Sequence, residues 1–269
     1  MGMLVLRDCP DATVDICFVH GLTGDRSSTW TTDGHSEPWP KTFLPPKLST
    51  ARILTFGYDA YVAWTSAPSA NRLIDHATDL LGRLTTNRAI NDTSSRPLIP
   101  VAHSLGGLVC KEAVLMSRNN PEPHLRGAKI PASTLGFVTH VNRSLLQILE
   151  TNDQFLESIR IRFLSMLRQQ RKDGRILEVT CFSEELRYPV VRQVVVKDSA
   201  TLDGYNVISI HANHKDMVKF PSEEDDGFQQ FLGELVRWES QVRCLGTPRT
   251  GSVPQPSPQP VGDTSKGDQ

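Results

Sequence analysis

Long apolar runs are missing from this sequence, and their absence excludes the simplest kinds of membrane protein. A helix that crosses a bilayer needs about 20 consecutive apolar residues, and no stretch of the 269 residues is that long. The opening residues, MGMLVLRDCPD, also lack the basic segment and apolar core of a secretory signal peptide. We therefore expect an intracellular protein, with the cytoplasm as its first candidate compartment.

Net charge and cysteine are also scarce. The formal net charge is −1, from 29 Lys and Arg against 30 Asp and Glu, and this balance argues against a nucleic-acid-binding protein. The cysteines are odd in number and do not show the spacing of metal ligands. They are Cys9, Cys17, Cys110, Cys181 and Cys244. We predict reduced thiols and expect neither a metal nor an organic cofactor.

One stretch, PLIPVAHSLGGLVC at residues 97–110, combines three local signals. An apolar run from Leu98 to Ala102 predicts a buried strand, Ser104 follows at a turn, and apolar residues at helical spacing continue from Leu108. Strand, sharp turn and helix with a serine at the turn is the nucleophile elbow of α/β-hydrolases. Ala102 replaces the first glycine of the usual Gly-x-Ser-x-Gly pattern. The alternative is that Ser104 only caps the N-terminus of an ordinary buried helix.

Alternation of strand and helix patterns up to this point predicts an α/β fold, with a mostly parallel sheet and helices on both faces. The pattern falters after the elbow helix, where one sheet strand is expected and none is obvious. The predicted strands are Met3–Leu6, Val14–His20, Arg52–Tyr58, Leu98–Ala102, Ile176–Phe182, Gln193–Val196 and Val207–Ile210, with Leu135–Val141 a weak candidate. The predicted helices are Lys41–Leu48, Asn71–Thr85, the elbow helix, Ala132–Leu149, Phe155–Leu167 and Gly227–Val242. Residues 1–242 form one predicted domain, and residues 243–269 a disordered tail or linker.

A serine nucleophile needs a histidine base, and in this fold the triad follows the chain order serine, acid, histidine. The base should therefore come late in the sequence. His211 and His214 both follow the last predicted strand. We favour His214.

The acid should follow the strand after the elbow unit, where its carboxylate would hold the histidine tautomer. Glu184 and Glu185 come directly after Ile176–Phe182, and Asp198 follows Gln193–Val196. Our order of preference is Glu184, then Asp198, then Glu185.

Acyl transfer also needs hydrogen-bond donors for the developing oxyanion. The backbone N–H of Leu105, one residue after the serine, would supply one donor. The N–H of Leu22, after the His20-Gly21 pair that ends a predicted strand, would supply the other. We expect proline at Gly21 to abolish activity while leaving the triad untouched.

Four stretches carry a resemblance to a known family: HGLTG (20–24), VAHSLGGLVCKEA (101–113), LEVTCFSEEL (177–186) and ISIHANHKDMVKF (208–220). Over Leu4–Val242 the chain resembles the lipase-like serine esterases of the SERAC type. These are related to GPI inositol-deacylases and to N-terminal domains of fungal NLR-like signalling proteins.

The resemblance implies an α/β-hydrolase that cleaves carboxylic, lipid-type esters without a cofactor. It implies Ser104 as nucleophile, His214 as base and Glu184 as acid. It also suggests peripheral membrane contact, at mitochondria or the endoplasmic reticulum.

Two departures from the family matter. Pro100 lies inside the predicted nucleophile strand, where proline removes a hydrogen-bond donor. The family's further strand after the elbow helix is missing, because Leu125–Gly127 passes directly into Ala128–Pro131. The sheet must then close the gap, recruit Leu135–Val141 or leave edges unpaired, and the acid could be displaced. The sequence therefore supports two hypotheses: a serine hydrolase, or a catalytically impaired module for signalling or interaction.

Overall fold

The computed structural model describes residues 1–22, 24–60, 70–122, 153–174, 177–186 and 205–246. Within them the strands are β1 (Gly2–Arg7), β2 (Val14–Val19), β3 (Ala51–Gly57), β4 (Leu98–Ala102), β5 (Thr180–Glu184) and β6 (Asn206–Ile210). The helices are α1 (Trp39–Thr42), α2 (Leu44–Lys47), α3 (Ala70–Ile90), α4 (Leu105–Asn119), α5 (Asp153–Lys172) and α6 (Asp226–Gly246). The predictions for Leu135–Val141, Ala132–Leu149, Gln193–Val196, Asp198 and residues 247–269 lie outside the described residues.

The larger sheet has the strand order β1-β3-β2-β4. Strand β1 runs antiparallel to β3, whereas β2 lies parallel to both β3 and β4. Every residue of β2 and β3 is buried, as their continuous apolar runs predict for strands covered on both faces. The predicted α/β fold class is confirmed.

Most predicted elements shift or lengthen by one to five residues at their ends, and two differences have a clear physical cause. The helix predicted over Lys41–Leu48 is two short helices, because Pro45 and Pro46 cannot donate the backbone hydrogen bonds of a helix interior and instead lie in the first turn of α2. Strand β5 starts at Thr180 rather than Ile176. Its ladder with β6 runs from the pair Thr180 and Asn206 to the pair Glu184 and Ile210. Glu184 is therefore the last residue of the strand.

The described strands divide between two sheets. Strands β5 and β6 form a parallel pair, and within the described residues neither is hydrogen-bonded to β4. This division falls where the sequence lacks a strand relative to the SERAC-type pattern.

Pro100 lies at the edge of β4 that faces away from β2. The N–H of Asp15 donates to the Pro97 carbonyl (2.8 Å), and the N–H of His103 donates to the Val19 carbonyl (3.0 Å). Because backbone polar groups of successive strand residues point to opposite sides, the odd-numbered residues of β4 face β2 and Pro100 faces the other way. Pro100 therefore does not interrupt the β2–β4 ladder. The missing donor belongs to the other side of β4, where no strand pairs with it within the described residues.

Side-chain packing unites the two sheets on both faces. On one face Cys181 of β5 shares a core with residues of α3, α4 and α5. On the other face Phe182 packs in one cluster with Ile99 and Val101 of β4. The remaining members of that second cluster include Phe18, Trp30, Trp39, Ile210, Phe228, Phe231 and Trp238. Within the described residues, hydrophobic burial rather than a continuous ladder thus joins the β5–β6 pair to β4.

Candidate active site

Ser104 stands at the sharp turn between β4 and α4. Its backbone has φ 55° and ψ −124°, a region that non-glycine residues rarely adopt and that costs about 1–3 kcal/mol. Its side chain makes no capping hydrogen bond to α4. A helix cap would not need this strained backbone, so the geometry favours the nucleophile elbow over the N-cap alternative.

Two glycines let neighbouring segments approach this turn closely. A Cβ at Gly106 would lie 2.5 Å from the His20 carbonyl oxygen and 2.6 Å from that of Val19. Gly106 therefore brings α4 against the end of β2, rather than against its own strand. A Cβ at Gly21 would lie 2.7 Å from Ser104 Cβ. A side chain at Gly21 would therefore press on Ser104 as well as alter the loop of Leu22.

Glu184 and His214 are brought together at the ends of β5 and β6. His214 Nδ1 lies 3.0 Å from Glu184 Oε2, and the two side chains are only 15% and 14% exposed. Their meeting follows from the ladder, in which Glu184 pairs with Ile210. A carboxylate at Nδ1 holds the proton on that nitrogen and leaves the lone pair on Nε2, which is the form a general base requires.

The alternative histidine–glutamate pair is much more exposed to solvent. His211 Nδ1 lies 2.9 Å from Glu185 Oε2, but the two side chains are 79% and 46% exposed. Asp198 lies outside the described residues. An exposed pair is screened by water, and so the geometry favours Glu184 and His214 over Glu185 and His211.

The loop that carries His214 is anchored at several points. Asn213 Oδ1 accepts hydrogen bonds from the backbone N–H groups of Lys215 (3.0 Å) and Asp216 (3.1 Å), which closes a tight turn. Buried Trp39 donates its Nε1–H to the Val218 carbonyl at 2.7 Å. Trp39 thus serves as a structural anchor for the base loop.

A second histidine, His20, holds the predicted oxyanion loop. The Tyr58 N–H donates to His20 Nε2 at 3.1 Å, which places the ring proton on Nδ1. Nδ1 then donates to the Gly21 carbonyl at 2.7 Å. Because the Gly21–Leu22 peptide is trans, its Leu22 N–H points away from the His20 ring.

Tyr58 supports this arrangement in two further ways. Its hydroxyl donates to the His20 carbonyl at 3.0 Å, and the two rings stack with centroids 4.5 Å apart. Burial lowers the pKa of His20, so the ring stays neutral near pH 7 and keeps this tautomer. The sequence analysis missed Tyr58, and its position at the carboxyl end of β3 was the only available signal.

Two absences complete the description of the site. No cluster of three or more His, Cys, Asp or Glu side chains among the described residues is arranged to hold a metal ion. In the same part of the chain, no helix has the length and hydropathy needed to span a bilayer.

Comparisons with known proteins agree with the resemblance. No family model matches the chain. Protein SERAC1 of Danio rerio is 31% identical over 128 residues, which cover 40% of this chain and 19% of that protein. Protein SERAC1 of Homo sapiens is 23% identical over 258 residues, which cover 83% of this chain and 38% of that protein. These matches are consistent with a SERAC-type, α/β-hydrolase-like protein. The chain spans less than two fifths of the length of these relatives.

Solved structures similar to this chain include two hydrolases at low sequence identity. The peroxisomal α/β-hydrolase Lpx1 of Saccharomyces cerevisiae is 13% identical, with a TM-score of 0.46 over 93% of this chain and 82% of that one. YbtT, a type II thioesterase of the yersiniabactin pathway, is 14% identical, with a TM-score of 0.45 over 92% of this chain and 100% of that one.

Proposed function

We propose that this chain is an intracellular serine hydrolase that cleaves carboxylic esters of the lipid type. The observation that carries the proposal is the largely shielded contact between His214 and Glu184 at 3.0 Å, formed although the described strands β5 and β4 belong to different sheets. It is supported by the strained backbone of Ser104. Contact with mitochondrial or endoplasmic-reticulum membranes is part of the same proposal and rests on the family resemblance.

The reaction follows from the assigned roles. His214 takes the proton of Ser104 Oγ as that oxygen attacks the ester carbonyl carbon. The backbone N–H groups of Leu22 and Leu105 bind the oxyanion. The tetrahedral intermediate then expels the alcohol, which receives the proton from His214. The acyl group remains attached to the serine. A water molecule, deprotonated by His214, attacks the acyl-serine and releases the acid and the free serine.

The second candidate is a hydrolase-like interaction module without turnover, and the observation that favours it is the division between the two described sheets. A fluorophosphonate, which phosphonylates an activated serine, separates the two candidates. We expect the purified protein to be labelled and Ser104→Ala not to be labelled. Well-folded protein that resists labelling would establish the module instead.

Two matched glutamate variants test which carboxylate is the acid of the proposed triad. Glu184→Gln should lower kcat for a p-nitrophenyl ester by about 10⁴-fold, as loss of the triad carboxylate does in serine hydrolases. Glu185→Gln alters a neighbouring, exposed pair and should stay within about threefold of the wild type, because an exposed pair contributes little. Equal losses in the two variants would refute the assignment of Glu184.

A further inference from the structure

His103 lies directly before the nucleophile and has no part in the mechanism above. It is buried, with 8% of its surface exposed. Its ring Nε2 lies 2.9 Å from the backbone carbonyl oxygen of His214. A carbonyl oxygen can only accept a hydrogen bond, and so Nε2 carries the proton and donates. The rings of the two histidines lie 4.7 Å apart, centroid to centroid.

The other edge of the His103 ring faces the oxyanion loop. Nδ1 lies 3.2 Å from the position that a Cβ would take at Gly21. The His103 backbone is fixed separately, because its N–H donates to the Val19 carbonyl at 3.0 Å. The ring therefore stands on a rigid strand end, between the loop of Leu22 and the loop of His214.

This position matters because of the divided sheet. Ser104 follows β4, whereas Glu184 ends β5, and no ladder joins these strands within the described residues. Apolar packing between the sheets is non-directional, whereas a hydrogen bond at 2.9 Å defines both distance and angle. The Trp39 contact anchors the base loop at Val218, four residues beyond the base. The His103 contact anchors it at the base itself.

We propose that His103 is a positioning residue: its Nε2–H holds the His214 backbone against the nucleophile turn and so aligns the base with the serine. The proposal rests on the proposed function. It predicts that activity requires a hydrogen-bond donor as far from Cα as Nε2 is, whether or not that donor belongs to an imidazole ring.

Two amide variants test this dependence. The side-chain nitrogen of His103→Gln is as many bonds from Cα as Nε2, whereas that of His103→Asn is only as far as Nδ1. We would measure kcat and KM for p-nitrophenyl butyrate, the rate constant for fluorophosphonate labelling, and Tm for each variant. His211→Asn, which changes an exposed histidine on the same loop, is the matched control.

We expect His103→Asn to lower kcat and the labelling rate by about 10- to 100-fold, since a displacement of about 1 Å has an effect of this size. KM and Tm should change little, and His103→Gln should restore most of the loss. Wild-type kcat in both variants would overturn the proposal, as would equal losses in both. An active wild type with an unaffected His103→Asn overturns this inference alone. An inactive wild type overturns the proposed function and this inference with it.

Discussion

A single methyl group at residue 21 tests the closeness of the oxyanion loop to the nucleophile. In Gly21→Ala the new Cβ would lie 2.7 Å from Ser104 Cβ and 3.1 Å from the His103 carbonyl oxygen. Non-bonded carbon atoms prefer separations of at least about 3.5 Å, so the loop or the serine must move by about 0.8 Å. The Ser104 backbone is already strained, which leaves the oxyanion loop as the part that yields.

A displacement of about 1 Å at a reacting centre costs about 100-fold in rate. We therefore expect Gly21→Ala to reduce kcat/KM for p-nitrophenyl butyrate by about two orders of magnitude, with a similar loss in fluorophosphonate labelling. Gly82→Ala is the matched control, because a Cβ there meets nothing within 4 Å. If Gly21→Ala hydrolysed the ester within twofold of the wild-type rate, the close approach and the role of the Leu22 N–H would both be refuted.

Three further predictions concern stability. Gly106→Ala should lower the free energy of unfolding by about 1–3 kcal/mol, as overpacking does, because its Cβ would meet the backbone carbonyl oxygens of Val19 and His20 at 2.6 and 2.5 Å. Gly233→Ala, in an open position on α6, should raise it by about 0.4–1 kcal/mol, and urea unfolding checks both signs. Burial lowers the pKa of His20 and of His76, so the unfolded chain binds protons that the folded chain excludes. The contribution of these two histidines to the free energy of unfolding should be fully present above about pH 6.5 and should be lost as the pH falls below that value. If the free energy of unfolding fell as steeply with decreasing pH in His20→Asn as in the wild type, the contribution of His20 would be contradicted.

Local pattern was enough to predict the elbow and most of the elements around it. Helix and strand periodicities depend on neighbouring residues in the chain, and so β2, β3 and β4 appear close to their predicted positions. The order of Ser104, Glu184 and His214 along the chain also follows from the fold class. The break between α1 and α2 could also have been predicted from the sequence, because Pro45 and Pro46 impose it locally.

The start of β5 could not be predicted in the same way. Leu177 and Val179 are buried and alternate with polar residues, which is a strand pattern, but their backbone pairs with no other described strand. A strand exists only where a partner supplies hydrogen bonds, and the partner β6 begins at Asn206, opposite Thr180.

The choice between the two histidine–glutamate pairs likewise belongs to the tertiary structure. His211 and His214 are equally late in the chain, and Glu184 and Glu185 are adjacent. The His214–Glu184 pair is largely shielded, whereas the His211–Glu185 pair is exposed. This difference depends on which side chains at the ends of β5 and β6 face the nucleophile turn.

The sequence by itself predicted the elbow from neighbouring residues, and the fold class predicted the chain order of the proposed catalytic residues. Only the tertiary structure decided that the backbone nitrogen of Pro100 faces away from β2, that Tyr58 sets the tautomer of His20, and that His103 reaches the His214 loop. These contacts join residues that are distant in sequence. Their geometry follows from strand register and close packing, which no local pattern specifies.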